Sequence, residues 1–180
     1  FADEGYLAIA PELFHRTAPP GFTAGYDQFN SVMDHFTAIT TQGLIQDSQA
    51  CFDWLKENGA ESIAVIGHCL GGRVSFVVNS ALPVKCAISY YGGRIATMNL
   101  DLAADQKSPL LFFWGNLDQH IPNDQIQSIN SALTAAKKKF TCVQFSDADH
   151  GFFCDERPSY NPQAARESWA MTLQFLKENM

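Results

Sequence analysis

A cysteine set between glycines is the side chain of this sequence best suited to covalent chemistry. The run 62–66 is short, apolar and partly β-branched, which is typical of a buried strand. It leads into Gly67-His68-Cys69-Leu70-Gly71, and the amphipathic spacing over 74–78 then indicates a helix. A strand, a glycine-bounded turn and a helix together predict a nucleophile elbow, in which a sharp turn lifts one side chain above a sheet.

The predicted elbow would also activate the thiol of Cys69. The positive end of the following helix favours a thiolate over a thiol, and the backbone N–H of Leu70 is placed to donate to a developing oxyanion. We expect the glycines on both sides of Cys69 to avoid clashes in the tight turn. The alternative is that Cys69 is a small buried hydrophobic side chain, which is the commonest fate of a free cysteine.

A base and an acid complete the set that such a nucleophile needs. His150 is predicted to be the general base, because histidine titrates near neutrality. Asp118 is predicted to accept the second ring N–H of His150 and to fix its tautomer. Asp147 and Asp149 are rival acids, and Asp118 could also be an ordinary turn aspartate. The segment 147–156 matches no known set of metal ligands, so we interpret it as a solvated acidic loop.

Alternating strands and helices must position these side chains. The apolar patterns predict strands over 6–10, 62–66, 84–91, 109–114 and 140–145, and helices over 26–40, 44–56, 123–138 and 164–177. This alternation predicts an α/β fold with a predominantly parallel sheet flanked by helices. Active residues of such sheets gather beyond the carboxyl ends of the strands, and Cys69, Asp118, His150 and Arg16 each follow a predicted strand.

Composition limits the classes of partner. The 180 residues are enough for one domain, and we expect a single domain over 1–180. The net charge of −7 and the lack of a basic run disfavour nucleic acid and anionic membrane surfaces as partners. No apolar stretch approaches the ~20 residues of a membrane span. The odd number and wide spacing of the cysteines favour free thiols in a reducing compartment, so we expect a cytoplasmic location; they are Cys51, Cys69, Cys86, Cys142 and Cys154.

The start of the chain is unusual. Phe1 takes the place of an initiator methionine, and the segment 1–6 resembles a last helical turn, a glycine cap at Gly5 and the start of a strand. We therefore expect this sequence to be amino-terminally truncated and to lack the first strands of its sheet. A sheet exposed in this way would be poorly stable by itself, because apolar surface and unpaired backbone groups face water.

Five stretches of the sequence resemble the dienelactone hydrolase (carboxymethylenebutenolidase-like) family of α/β-hydrolases. They occur in family order over nearly the whole chain, and the cysteine in the elbow is the most diagnostic, since most α/β-hydrolases have serine there. The matching stretches are Gly5-Tyr6-Leu7-Ala8-Ile9-Ala10-Pro11-Glu12-Leu13-Phe14, Gly67-His68-Cys69-Leu70-Gly71-Gly72, Tyr90-Tyr91-Gly92, Gly115-Asn116-Leu117-Asp118 and His150-Gly151-Phe152.

The resemblance implies an α/β-hydrolase fold and roles for four residues. The family's catalytic cysteine, aspartate and histidine fall on Cys69, Asp118 and His150. A family arginine that grips the substrate carboxylate falls on Arg16, and a guanidinium fork suits a carboxylate. A solvated surface arginine is the alternative for Arg16.

Two features depart from the family pattern. Dienelactone hydrolases proper have a second arginine shortly after the catalytic histidine, whereas here the fourth residue on is Cys154 and Arg157 lies further along. The family's early strand and its loop, which carry a glutamate implicated in thiol activation and the other oxyanion N–H, are absent from this sequence.

The sequence therefore predicts a hydrolase that cleaves a small ester or lactone bearing a carboxylate. The reaction would pass through a thioester acyl-enzyme, with no metal or organic cofactor. A general carboxylesterase or thioesterase without a carboxylate requirement is the alternative among enzymes. A noncatalytic ligand-binding domain is the alternative from another class, although the intact set of three residues argues against it. The oligomeric state is left open.

Overall fold

The predicted parallel sheet lies in the carboxyl-terminal part of the chain. The computed structural model describes residues 1–25 and 28–180, and these form two compact units, Phe1–Glu61 and Ser62–Met180. The second unit contains four strands that pair in the order β1-β2-β3-β4, all of them parallel. The strands are β1 (Ala64–His68), β2 (Cys86–Tyr90), β3 (Leu110–Gly115) and β4 (Phe140–Phe145). The predicted α/β class and parallel sheet are confirmed.

Helices connect the strands, as parallel pairing requires. After β1 comes α3 (Leu70–Ala81), and after β3 comes α5 (Asn123–Ala135). Between β2 and β3 lie the short α4 (Ile95–Met98) and the 3₁₀ segment Leu100–Asp105. The chain closes with α6 (Pro162–Asn179).

The two central strands form the core. Every residue of β2 and of β3 is buried, as expected for central parallel strands that are covered on both faces. On β3, the rings of Phe112 and Trp114 stack with centroids 5.6 Å apart. On β2, the Tyr90 hydroxyl donates to the carbonyl oxygen of Ser168 at 3.1 Å and lies 2.6 Å from the Thr172 hydroxyl. This polar contact fixes α6 against the strand that neighbours the Cys69 turn.

Caps decide where two of these helices begin or end. The helix predicted over 164–177 begins at Pro162, because the Asn161 side chain accepts the backbone N–H groups of Gln163 and Ala164 at 3.2 and 3.1 Å. The helix predicted over 123–138 ends at Ala135, before Lys137 takes a left-handed φ of 56°. Left-handed backbone cannot continue a right-handed helix.

The first unit, Phe1–Glu61, contains α1 (Phe29–Thr37) and α2 (Thr41–Glu57). The predicted start of the first helix, Tyr26, lies outside the described residues. The second helix begins three residues earlier than predicted, because the Thr40 hydroxyl accepts the backbone N–H of Gly43 at 3.0 Å and caps it.

The strand predicted over 6–10 is wrong for this structure. The segment has irregular backbone, and Leu7 and Ile9 are 52% and 40% exposed. An apolar run becomes a strand only where another strand offers its backbone N–H and C=O groups. No ladder partner for this segment is present in the described part of the chain.

The single domain expected over 1–180 stays a prediction. Among the described residues, no helix combines the length and apolar character that a membrane crossing would need.

Candidate active site

Cys69 occupies a strained turn between β1 and α3. It has φ 55° and ψ −114°, a conformation that a residue with a side chain adopts only when its surroundings enforce it. Two backbone hydrogen bonds hold Cys69 in this conformation. Its N–H donates to the carbonyl oxygen of Tyr90 at 3.0 Å, and its carbonyl oxygen accepts the N–H of Gly72 at 3.0 Å. The predicted elbow geometry is present, and it places Cys69 beyond the carboxyl end of β1.

The glycines of the elbow differ in how much room they leave for a side chain. A Cβ on Gly67 would lie 2.0 Å from the carbonyl oxygen of Gly71, and a Cβ on Gly72 would lie 2.7 Å from that of Tyr90. A Cβ on Gly71 would meet nothing within 4 Å. We expected both glycines that flank Cys69 to avoid clashes. This is wrong for Gly71, because a side chain at that position would have room.

Asp118 lies in the turn after β3 and is fixed from two directions. Its Oδ1 accepts the backbone N–H groups of His120 and Ile121 at 2.8 and 3.2 Å. Its Oδ2 lies 2.8 Å from Nδ1 of His150. The Asp118 side chain is only 1% exposed. A carboxylate accepts hydrogen bonds and does not donate them, so Nδ1 of His150 carries the proton in this contact.

His150 joins the acid to the thiol. Its Nε2 lies 3.1 Å from Sγ of Cys69, on the side of the ring opposite to Asp118. The rival acids face elsewhere: Asp149 Oδ1 accepts the backbone N–H of His150, and Asp147 Oδ2 accepts from the Asn161 side chain. The structure thus brings together the three side chains that the sequence singled out.

The electrostatics favour a proton on His150 and a negative charge on Cys69. Burial lowers the pKa of His150, but the hydrogen bonds to Asp118 and Cys69 and their charges raise it further, to about 9. Burial raises the pKa of the Cys69 thiol, but the hydrogen bond and charge of His150, the Leu70 N–H and the charge of Arg157 together bring it below its usual value. Both shifts act in the direction of a thiolate–imidazolium pair.

The backbone N–H of Leu70 forms a hydrogen bond with the Cys69 sulfur. Leu70 is the first residue of α3, and this hydrogen bond is one of the contacts that lower the pKa of Cys69. A donor that stabilises negative charge on the sulfur lies close to where the oxygen of an attacked carbonyl would develop charge.

Two ring-bearing residues near the proposed triad, Tyr91 and His68, were missed as site residues. The Tyr91 ring centroid lies 5.1 Å from that of His150, and Tyr91 has a left-handed φ of 37°. The His68 ring stacks on Tyr90 at 4.4 Å and lies 5.0 Å from Phe153. Desolvation lowers the pKa of His68 to about 4, although the residue as a whole is exposed. Only the strand-end position of Tyr91 could have identified it from sequence.

Arg157 contributes charge to this site from outside the expected position. A Cβ on Gly151, the neighbour of His150, would lie 2.5 Å from Nη1 of Arg157. Its positive charge is one of the influences that lower the pKa of Cys69. The chain folds back after Cys154, so Arg157 packs against Gly151, six positions before it in the sequence.

Arg16 is described within the first unit, where it forms an ion pair. Its Nη1 and Nη2 donate to the two carboxylate oxygens of Asp47 at 2.6 and 2.7 Å, and His15 Nε2 lies 3.1 Å from Asp47 Oδ1. The hydrogen bond to Asp47 raises the pKa of Arg16. Arg16 also lines a cleft of this unit with Leu13, Thr17, His35, Ala38, Ile39, Thr40, Gly43, Leu44 and Asp47.

No grouping of three or more histidine, cysteine, aspartate or glutamate side chains suited to a metal ion occurs within residues 1–25 and 28–180.

Comparisons with known proteins agree with the resemblance seen in the sequence. The model of the "Dienelactone hydrolase family" matches residues 1–180. A protein of Escherichia coli O157:H7 named "Putative carboxymethylenebutenolidase" is 31% identical over 185 residues, covering 97% of this chain and 68% of that protein. One of the same name from Synechocystis is 30% identical, covering 99% of this chain and 77% of that protein. The crystal structure titled "Putative Dienelactone Hydrolase" from Klebsiella pneumoniae superimposes with a TM-score of 0.86 at 29% identity, covering 96% of this chain and 75% of that one.

The family model and the named relatives support a hydrolase over the alternative of a noncatalytic domain. The chain belongs to the dienelactone hydrolase family and is a hydrolase with the α/β-hydrolase fold.

Proposed function

We propose that the protein is a cysteine hydrolase that cleaves a small ester or lactone through a thioester acyl-enzyme. Cys69 is the nucleophile, His150 the general acid and base, and Asp118 the residue that orients His150. The observation that carries the proposal is the bridging position of His150, with Nδ1 2.8 Å from Asp118 and Nε2 3.1 Å from the Cys69 sulfur.

Acylation begins from the thiolate–imidazolium pair. The Cys69 sulfur attacks the carbonyl carbon, and the carbonyl oxygen becomes an oxyanion that accepts the Leu70 N–H. As the C–O bond to the leaving group breaks, Nε2–H of His150 gives its proton to the departing oxygen. The product of this half-reaction is a thioester on Cys69 and an alcohol, which stays attached to the acyl group when the substrate is a lactone.

Deacylation uses the now neutral His150 as base. Its Nε2 takes a proton from water while the water oxygen attacks the thioester carbonyl. Collapse of the second tetrahedral intermediate expels the Cys69 thiolate and releases a carboxylic acid. The thiolate and the imidazolium of His150 are restored, so the cycle needs no further reactant.

We also propose that the substrate carries a carboxylate that Arg16 binds. Two of the guanidinium nitrogens of Arg16 contact Asp47, but arginine has five N–H donors, so others remain for a second carboxylate. The charge of Arg157 acting on Cys69 is consistent with an anionic group on the substrate.

The pairing of Arg16 with Asp47 favours a second candidate, a general carboxylesterase or thioesterase. A bidentate contact at 2.6 and 2.7 Å already neutralises the guanidinium, and charge-assisted pairs of this geometry are strong. In this candidate the Cys69 chemistry is unchanged, and Arg16 holds α2 in place instead of the substrate.

The experiment pairs two p-nitrophenyl esters with the same leaving group, the neutral acetate and an acidic hemisuccinate. Cys69→Ala should abolish turnover of both, and alkylation of Cys69 should do the same. Cys142→Ala is the matched control, since Cys142 is a partly buried thiol on β4. Mass spectrometry of the quenched enzyme should find the acyl group on the peptide that contains Cys69. Substantial turnover by Cys69→Ala would disprove the mechanism, and a preference for acetate would favour the general esterase.

A reducing, cytoplasmic location is proposed on the same chemistry. All five cysteines are free thiols, and the mechanism requires Cys69 to stay reduced. Cell fractionation that finds the protein in an oxidising compartment would contradict this location.

A further inference from the structure

His150 is held by a loop rather than by a strand or helix. Cys69 is fixed by the elbow, and Asp118 is fixed by two backbone N–H groups. The segment that carries His150, between β4 and α6, consists of turns and irregular backbone. Since a displacement of about 1 Å at a reacting group can lower a rate about 100-fold, the loop needs contacts that define the direction of the imidazole.

The returning part of the same loop supplies these contacts. The Ser159 hydroxyl donates to the carbonyl oxygen of His150 at 2.7 Å. The backbone N–H of Asn161 donates to the carbonyl of Phe152 at 3.0 Å, and its side chain bonds to the Asp147 carbonyl at 3.3 Å. The contacts therefore reach the loop before, at and after His150.

The Ser159 bond acts on the peptide unit next to the imidazole. The carbonyl that it holds belongs to His150, and rotating this peptide changes ψ of His150 and φ of Gly151 together. Gly151 has a left-handed φ of 80°, with Arg157 packed where a Cβ would be. This combination is specific to the observed loop conformation, and the hydroxyl of Ser159 stabilises it.

We propose that Ser159 is a positioning residue, which holds the His150 carbonyl so that Nε2 stays within reach of the Cys69 sulfur. This proposal rests on the proposed roles of Cys69 and His150, and Ser159 itself touches no reacting atom. Its hydroxyl is partly buried, nine residues from His150 in sequence, so no motif identifies it.

The test compares Ser159→Ala, Ser159→Thr and Ser159→Val. Threonine and valine have nearly the same shape, so they differ mainly in the hydroxyl. We expect alanine and valine to lower kcat about tenfold and to leave KM within about twofold, and threonine to recover most of kcat. Ser128→Ala is the matched control, because Ser128 also donates to a backbone carbonyl, that of Asp124 at 2.8 Å, on the exposed face of α5.

A second readout does not depend on substrate. The rate of Cys69 alkylation by iodoacetamide, followed peptide by peptide against pH, reports the thiolate directly. We expect the midpoint to rise by about half a pH unit in the alanine and valine variants, because a displaced imidazolium stabilises the thiolate less. Threonine and the Ser128→Ala control should keep the wild-type midpoint.

The outcomes separate the two proposals. If His150→Gln leaves the alkylation profile of Cys69 unchanged, the proposed function fails. If His150→Gln moves the profile but Ser159→Val behaves as Ser159→Thr does, Ser159 has no positioning role. Failure of both the alanine and valine variants to fold would assign Ser159 to stability and overturn the inference as well.

Discussion

The backbone of Gly115 passes directly under the loop that carries His150, so close that a Cβ at position 115 would lie 2.3 Å from the carbonyl oxygen of Ala148. Gly115 ends β3, three residues before Asp118, and Ala148 lies two residues before His150. In addition, the N–H of Leu117 donates to that same carbonyl at 3.0 Å. The acid and the base of the proposed triad are thus brought together by a backbone contact that only glycine permits.

This contact predicts a severe effect of Gly115→Ala. The new methyl group has no room, because the opposing atom is backbone, and relief would push the two loops apart. We expect a loss of about 2–4 kcal/mol in the free energy of unfolding and a fall in kcat beyond that explained by unfolded protein. Urea denaturation and active-site titration measure the two effects. Gly93→Ala is the control, since a Cβ on Gly93 would meet nothing within 4 Å.

The two glycines nearest Cys69 predict opposite results. Gly67→Ala should prevent the elbow from closing, because its Cβ would lie 2.0 Å from the Gly71 carbonyl oxygen. Gly71→Ala lies within α3 with open space around it, and alanine is the better helix residue by up to about 1 kcal/mol. Thermal melts should therefore show a large loss of stability for the first variant and none for the second. Equal destabilisation would contradict the described geometry of the turn.

The ion pair predicts how Cys69 reactivity depends on pH. In the wild type the thiolate persists below the usual thiol pKa, and the imidazolium of His150 persists up to about pH 9. His150→Gln removes the influences that lower the Cys69 pKa most and leaves burial, which raises it. Alkylation of Cys69 at pH 6.5 should then slow at least about tenfold, since one pKa unit is a factor of ten.

Asp118→Asn tests the orienting acid. Asparagine can keep the bonds from the backbone of His120 and Ile121, but its amide can donate to Nδ1 and so stabilise the wrong tautomer of His150. We expect kcat to fall roughly 100- to 10,000-fold with little change in fold. Asp124→Asn, at the exposed start of α5, is the matched control and should retain activity. Near-normal activity of Asp118→Asn would return the role to another acid.

The sequence predicted the site residues that follow strand ends. It missed the contacts made where the loop between β4 and α6 folds back on itself. Cys69, Asp118 and His150 each follow a strand whose apolar pattern is unambiguous, and the carboxyl ends of parallel strands share one edge. Ser159 reaches His150, and Arg157 reaches the neighbouring Gly151, only because a loop without periodicity folds back on itself. Such a contact leaves no pattern of spacing.

The errors in the fold have similar physical origins. The side chains of Thr40 and Asn161 cap two helices at earlier starts than predicted, and apolar periodicity does not reveal such hydrogen bonds. The segment 6–10 has the composition of a strand but lacks a ladder partner among the described residues. The local apolar pattern therefore predicted whether most elements are helices or strands. Helix caps decide where the elements begin and end, and the lack of a pairing strand explains why 6–10 forms no strand.

The contact between Arg16 and Asp47 allows the charge preference for the substrate to be tested by substitution. If Arg16 binds a substrate carboxylate, Arg16→Ala should weaken hydrolysis of the hemisuccinate far more than that of the acetate. Because the Arg16 side chain is exposed, water screens such a pair, and we expect a loss specific to the hemisuccinate of roughly threefold or more in kcat/KM. Arg16→Lys should recover only part of this, because an ammonium lacks the planar fork.

Turnover of the neutral ester by the same variants distinguishes a substrate-binding role of Arg16 from a structural role. If Arg16 instead serves only to pair with Asp47, both esters should lose activity equally, together with stability. Asp47→Asn should then reproduce the loss, because it breaks the same bidentate contact from the other side. An equal loss for the two esters would remove the carboxylate requirement and leave the general esterase, with its Cys69 chemistry intact, as the better description of the enzyme.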